Sequence, residues 1–171
     1  MTLVFQYGSN TSLSRINSDD RLRGDARPIG IAYTEDDYDL EFTVCSKGNK
    51  CAAASIEQGS GRNIWGVLYD IPDYLIYRGQ SGERKSLDKI EGEGVNYRRM
   101  PIRVRDSEGK SIIEPVITYV ALDRKQGIKT SSVYANLIIA GLKENNVPND
   151  YIEYVRTKIL ENNADLGNEL N

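Results

Sequence analysis

Up to about residue 122 the apolar residues fall in short runs, and polar turn clusters separate one run from the next. Leu3–Tyr7 (LVFQY) ends in Gly-Ser-Asn, which predicts a strand feeding a tight turn, with a short helix around Ser12–Ile16 after it. Residues 27–33, 38–44 and 51–57 are strand-like, and Asn63–Ile71 (NIWGVLYDI) carries the strongest apolar run. Pro72-Asp73 opens a stretch that reads as helical to about Ile90. Tyr97–Arg105 and Ile112–Leu122 predict an antiparallel pair, joined through the turn Asp106-Ser107-Glu108-Gly109.

Beyond that point the period changes from 2 to 3.6. Val133, Leu137, Ala140 and Gly141 predict one helix face, capped by Ser131 or Ser132. Ile152, Val155 and Ile159 predict a second, with Val147-Pro148 at its start, where proline is tolerated. Residues 162–171 lose the period and predict a frayed tail. Many short strands with helices gathered late predict an α+β fold: a small mixed β-barrel or strongly curled sheet with helices packed on it. The 171 residues match the size of one domain, predicted to span 1–171.

Composition narrows the chemistry. The chain has no histidine, which removes Ser-His-Asp and Cys-His nucleophile systems, histidine-bound zinc and a histidine base. Lys+Arg 22 against Asp+Glu 25 gives a net charge of −3, far from the basic excess of nucleic-acid binding. Two cysteines, Cys45 and Cys51, are too few for a Cys-only zinc site; they are read as reduced thiols, with pairing across a short loop as the alternative. No apolar run is long enough to cross a membrane, and the N-terminus lacks a basic signal region, so the expected location is cytoplasmic.

Two segments and one residue type remain as candidates. At Tyr7-Gly8-Ser9-Asn10 a glycine lets successive N–H groups turn into one hollow that accepts an anion, although an ordinary turn is the simpler reading of four such residues. In Ser86–Gly94 (SLDKIEGEG), Asp88, Glu91 and Glu93 lie among glycines that leave a carboxylate open to a ligand; the simpler reading is a solvated charged turn. Eleven tyrosines against two phenylalanines and one tryptophan offer polar-tipped rings, with Tyr97, Tyr119 and Tyr134 able to converge on one pocket.

Taken together, these residues resemble the γ-glutamylcyclotransferase family. The resemblance runs through Tyr7-Gly8-Ser9-Asn10, Leu40-Glu41-Phe42, Ala53–Ile56, Trp65-Gly66-Val67, Leu87-Asp88 with Glu91-Gly92, and the strand from Tyr97. It continues through Ser132, Tyr134, Gly141–Pro148 and Tyr151, nearest the branch acting on free γ-glutamyl amino acids. It implies a barrel-centred α+β fold, no cofactor or metal, and release of 5-oxoproline from a small γ-glutamyl substrate. Glu91 matches the family's catalytic glutamate, Phe5, Gln6, Tyr7, Gly8, Ser9 and Asn10 its substrate-cradling loop, Tyr134 a tyrosine that lines its pocket, and Tyr119 a tyrosine of the preceding strand; Tyr97 joins them as a substrate-binding candidate. The family pattern also admits a homodimer. Gln6 and Thr11 replace more apolar residues, the Glu91–Tyr97 spacing is one residue short, and Glu93 offers a second carboxylate. The alternatives are a γ-glutamyl-binding module without turnover, and a cyclotransferase for γ-glutamyl amines or acylated natural products.

Overall fold

The computed structural model describes residues 1–59 and 61–171. Among the described residues, eight strands run through Thr2–Gln6 (β1), Arg27–Thr34 (β2), Tyr38–Ser46 (β3), Cys51–Gln58 (β4), Trp65–Ile71 (β5), Tyr97–Pro101 (β6), Val104–Asp106 (β7) and Val116–Ala121 (β8). Four α-helices among the described residues span Leu13–Ile16 (α1), Leu87–Glu91 (α2), Ser132–Glu144 (α3) and Asn149–Asn162 (α4). Six strands form a mixed sheet in the order β6-β8-β1-β5-β2-β7, and β3-β4 make a separate hairpin. β1 is central: it pairs antiparallel with β5 and parallel with β8, so its C-terminal end delivers the chain at Tyr7 into the middle of the molecule. The Ser55 hydroxyl accepts from the Ala121 N–H at 2.8 Å and ties the hairpin to β8. The α+β class and the curled mixed sheet agree with expectation.

Four local expectations are corrected. The stretch after Pro72 is not one helix: it holds a 3₁₀ turn at Asp73–Leu75 and then only α2. Gly79 and Gly82, at φ 78° and 62°, take left-handed backbone that breaks a helix between them. The strand expected over Tyr97–Arg105 splits, since β6 pairs with β8 while β7 crosses to β2. On α3 the buried side is Tyr134, Ala135, Ile138, Ile139, Gly141 and Leu142; of the expected face only Gly141 is buried, and Val133 is 74% exposed. Both stripes have helical spacing, and tertiary packing chose the bulkier one. The tail is docked: Leu166 is buried, and the Asn163 side-chain amide donates to the Thr130 carbonyl at 2.9 Å. The two cysteines, expected as reduced thiols, stay apart: Cys45 pairs with Ala52 and Cys51 with Ser46, which sends the two thiols to opposite faces of the hairpin. Both are free. No helix of the described residues is long and apolar enough to cross a membrane.

Candidate active site

The segment leaving β1 makes a 3₁₀ turn at Ser9–Thr11, buried throughout, and α3 lies directly on it. A Cβ at Gly141 would sit 2.4 Å from Thr11 Oγ1 and 2.5 Å from the Ser12 nitrogen, so only glycine permits this approach. The Thr11 carbonyl accepts from Asn145 Nδ2 at 2.9 Å and from the Tyr69 hydroxyl at 3.1 Å, which clamps the far side of the loop. Gly8 has a negative φ of −98°, and a Cβ there would meet the Tyr134 hydroxyl at 3.4 Å. Closeness to that tyrosine, rather than left-handed backbone, is what favours glycine. Among the described residues, the backbone N–H groups of Gly8, Ser9 and Asn10 have no protein acceptor.

α2 approaches the same place from the other side. Ser86 caps it, its hydroxyl accepting from the Lys89 N–H, and Gly92 at φ 72° ends it in left-handed backbone. That stop leaves Glu91 as the last helical residue, facing the loop. Glu91 Oε1 accepts from Asn10 Nδ2 at 2.8 Å and from Gln6 Nε2 at 3.3 Å. Arg21 Nη1 donates to Asn10 Oδ1 at 3.0 Å, which orients the Asn10 amide so that its nitrogen faces Glu91. Burial pushes the Glu91 carboxyl above its ordinary value, against the opposing pull of Arg21, the Asn10 and Gln6 amides, and Arg15. Glu91 Oε2 has no partner among the described residues and opens on the cavity. Glu93 does not line it.

The tyrosines wall the site with their hydroxyls already engaged. Tyr97 donates to the Ala54 carbonyl at 2.6 Å, and Tyr134 accepts from the Ala54 N–H at 3.0 Å, so the two bracket one residue of β4. Tyr7 donates to the Tyr119 carbonyl at 2.5 Å, and Tyr119 donates to Asp88 Oδ1 at 2.7 Å. Desolvation raises all four phenols, Tyr134 to about 12, so each stays protonated at neutral pH. Tyr134 keeps a proton to donate, and Tyr97 keeps lone pairs to accept.

Together these groups enclose a recess of about 30 Å³ bounded by Gln6, Tyr7, Gly8, Tyr119 and Ala54. It shares Ser9, Asn10, Glu91, Tyr97 and Tyr134 with an outer cavity of about 410 Å³. Of the residues expected from the sequence, the structure brings Gln6 through Asn10, Glu91, Tyr97, Tyr119 and Tyr134 together. It does not bring Phe5, whose buried ring packs on Gly66. Sequence reasoning missed Arg15, Arg21, Lys47, Lys85 and Lys89, which line the outer cavity. Arg15 and Arg21 follow the loop closely enough in sequence to have been noticed.

A model of the AIG2-like family matches residues 63–155, a span holding Glu91, Tyr97, Tyr119 and Tyr134. The chain belongs to the AIG2-like family. Among known proteins, the γ-glutamylcyclotransferase of Mus musculus is 29% identical over 160 residues, which cover 90% of this chain and 77% of the mouse protein. The Homo sapiens protein of the same name is 28% identical over the same length, with the same coverage of each chain. A solved γ-glutamyl cyclotransferase superposes with a TM-score of 0.75 at 27% identity, covering 91% of this chain and 86% of the other. YkqA from Bacillus subtilis shares the fold, with a TM-score of 0.72 at 23% identity over 92% of this chain and 54% of its own. The family expected from the motifs is therefore the family found.

Proposed function

We propose that this chain is a γ-glutamylcyclotransferase with Glu91 as its catalytic acid/base. The observation that carries this reading is the asymmetry of the Glu91 carboxyl. One oxygen is held by two neutral amides, and the other faces the cavity unpartnered. In a chain without histidine, a desolvated carboxylate of raised pKa is a suitable proton carrier near neutral pH. The names of the mouse and human relatives support the same reaction.

A γ-glutamyl substrate contains its own nucleophile. Held folded, with the γ-carbonyl at the mouth of the recess, its α-amine attacks intramolecularly, an arrangement worth about 7–11 kcal/mol of barrier. Glu91 Oε2 takes a proton from the α-ammonium, and the amine nitrogen bonds to the γ-carbon. The carbonyl oxygen becomes an oxyanion facing the free N–H groups of Gly8, Ser9 and Asn10. The intermediate collapses, the bond to the leaving nitrogen breaks, and Glu91 returns the proton to that nitrogen; the second proton that the ring nitrogen sheds as it becomes an amide leaves with the released amine, which departs as its ammonium form. The products are 5-oxoproline and an amine or amino acid; water does not enter. The tyrosines act as wall, with the Tyr134 proton and the Tyr97 lone pairs left for polar contacts.

A panel of γ-glutamyl amino acids and γ-glutamyl amines, incubated with the purified protein and scored for 5-oxoproline, tests the reading. Release from at least one class is expected. Tight binding of γ-glutamyl compounds without 5-oxoproline would instead make the chain a binding module.

A further inference from the structure

The outer cavity is far more basic than the chain around it. The protein carries a net charge of −3, yet the charged lining here is Arg15, Arg21, Lys47, Lys85 and Lys89 against only Asp20 and Glu91. Among the described residues, none of these five cations makes an ion pair. The two arginines are half-buried and are held by neutral groups. Arg15 donates from Nε to Ser9 Oγ at 2.9 Å and from Nη2 to Asn49 Oδ1 at 2.6 Å, and Arg21 donates to Asn10. Burial and the neighbouring Arg21 both push the Arg15 guanidinium down, a tension that a bound anion relieves. The three lysines are exposed and stand farther out.

The proposed reaction sorts substrates by charge on one side only, because every γ-glutamyl compound shares the glutamyl carboxylate. A γ-glutamyl amine brings no other carboxylate, and a γ-glutamyl amino acid with a neutral side chain brings one more. Two guanidiniums, each able to take a carboxylate as a fork, match that pair. The three lysines are then surplus. Resting on the cyclotransferase reading, we propose that Lys47, Lys85 and Lys89 select an acidic leaving residue, so that the preferred substrate releases a dicarboxylic amino acid. An exposed lysine–carboxylate pair is worth at most about fivefold in affinity, so the preference comes from the three together and weakens with salt.

The test compares kcat/KM for γ-glutamyl-glutamate, γ-glutamyl-alanine and γ-glutamyl-butylamine. It is run on the wild type at low and high salt, and on Lys47→Gln/Lys85→Gln/Lys89→Gln with its thermal unfolding as a folding control. In the wild type at low salt, the acidic substrate should lead the alanine one by about tenfold and the amine by more. High salt should shrink that lead, and the triple variant should abolish it. Equal rates for the three substrates, or a lead that survives in the folded triple variant, overturns the selection while leaving the cyclotransferase reading intact. If none of the three yields 5-oxoproline, the underlying reading falls, and the selection falls with it. Should the variant fail to fold, the wild-type salt dependence decides alone, and a salt-independent lead refutes the proposal.

Discussion

Asp88 and Glu91 sit three residues apart on the same short helix, and their surroundings give them opposite characters. Asp88 is buried and fully committed. Arg99 Nη1 donates to both its oxygens at 2.5 and 2.6 Å, and the Tyr119 hydroxyl donates to Oδ1 at 2.7 Å. The Arg99 guanidinium in turn lies 4.6 Å from the centre of the Tyr77 ring. Glu91 has no such cation in contact; it accepts from two amides and keeps an oxygen open. A carboxylate with a full set of charged and hydroxyl donors is a bolt between helix and sheet. One held by neutral donors in a desolvated recess keeps a proton affinity that chemistry can use. The helix itself is too short to be stable alone, so the Asp88 bolt is what holds Glu91 at the loop.

Exchanging the two outcomes would break this contrast. The largest effect on turnover is expected at Glu91→Gln, since the amide offers Asn10 and Gln6 the same acceptor but cannot take a proton. 5-Oxoproline release should fall by about 10²-fold or more, with γ-glutamyl ligand binding retained in calorimetry. The largest effect on folding belongs to Asp88→Asn, which strands Arg99; urea unfolding should show a loss of about 2–4 kcal/mol, moderated by the partial exposure of Arg99. If Asp88→Asn folds as well as the wild type while Glu91→Gln does not, the roles have been assigned backwards.

Gly141→Ala comes next. Its Cβ would collide with Thr11 and Ser12, so α3 or the loop must move; a stability loss of about 1–3 kcal/mol is expected, and lower turnover in the molecules that stay folded. The mildest change is Gly8→Ala, where the 3.4 Å contact to Tyr134 can nearly be tolerated. It should cost about 1 kcal/mol in thermal unfolding and lower the activity of the molecules that stay folded, because the loop amides facing the reacting carbonyl shift with it.

The pH dependence sharpens the same comparison. Burial raises Glu91, so the folded protein holds that proton more tightly than the unfolded chain does. The stability this contributes is complete below the unfolded value of about 4.3, and it is lost as pH rises through the higher folded value. Glu91→Gln removes that loss. Across this range the variant should gain stability relative to the wild type as pH rises, measured by urea midpoints. A difference that stays flat with pH would mean an unperturbed Glu91.

Much of this was legible in the sequence. The strand runs and the Tyr7–Asn10 turn needed only local pattern, and Glu91-Gly92 carries its own helix stop. What the sequence did not reveal depends on partners far along the chain. Val133 and Tyr134 head equally good helical stripes, and only the tertiary packing of α3 decides that the stripe from Tyr134 is buried. Nothing local in Arg99 says that it closes on Asp88, and the lysines of the outer cavity come from two distant segments, Lys47 from the β3–β4 turn and Lys85 and Lys89 from around the start of α2. Phe5 adjoins the loop in sequence, and its ring lies 6.3 Å from that of Tyr7, but it is buried one step behind the recess, where it packs on Gly66.

The central claim is that the substrate's own amine, deprotonated by Glu91, displaces the leaving group without water. A γ-glutamyl peptide labelled with ¹⁵N at the glutamyl α-amine, turned over in water enriched in ¹⁸O, tests it directly by mass spectrometry. The account predicts 5-oxoproline that carries the ¹⁵N in its ring and no ¹⁸O, and almost no product from Glu91→Gln. Glutamate bearing ¹⁸O, or undiminished product from Glu91→Gln, would contradict it.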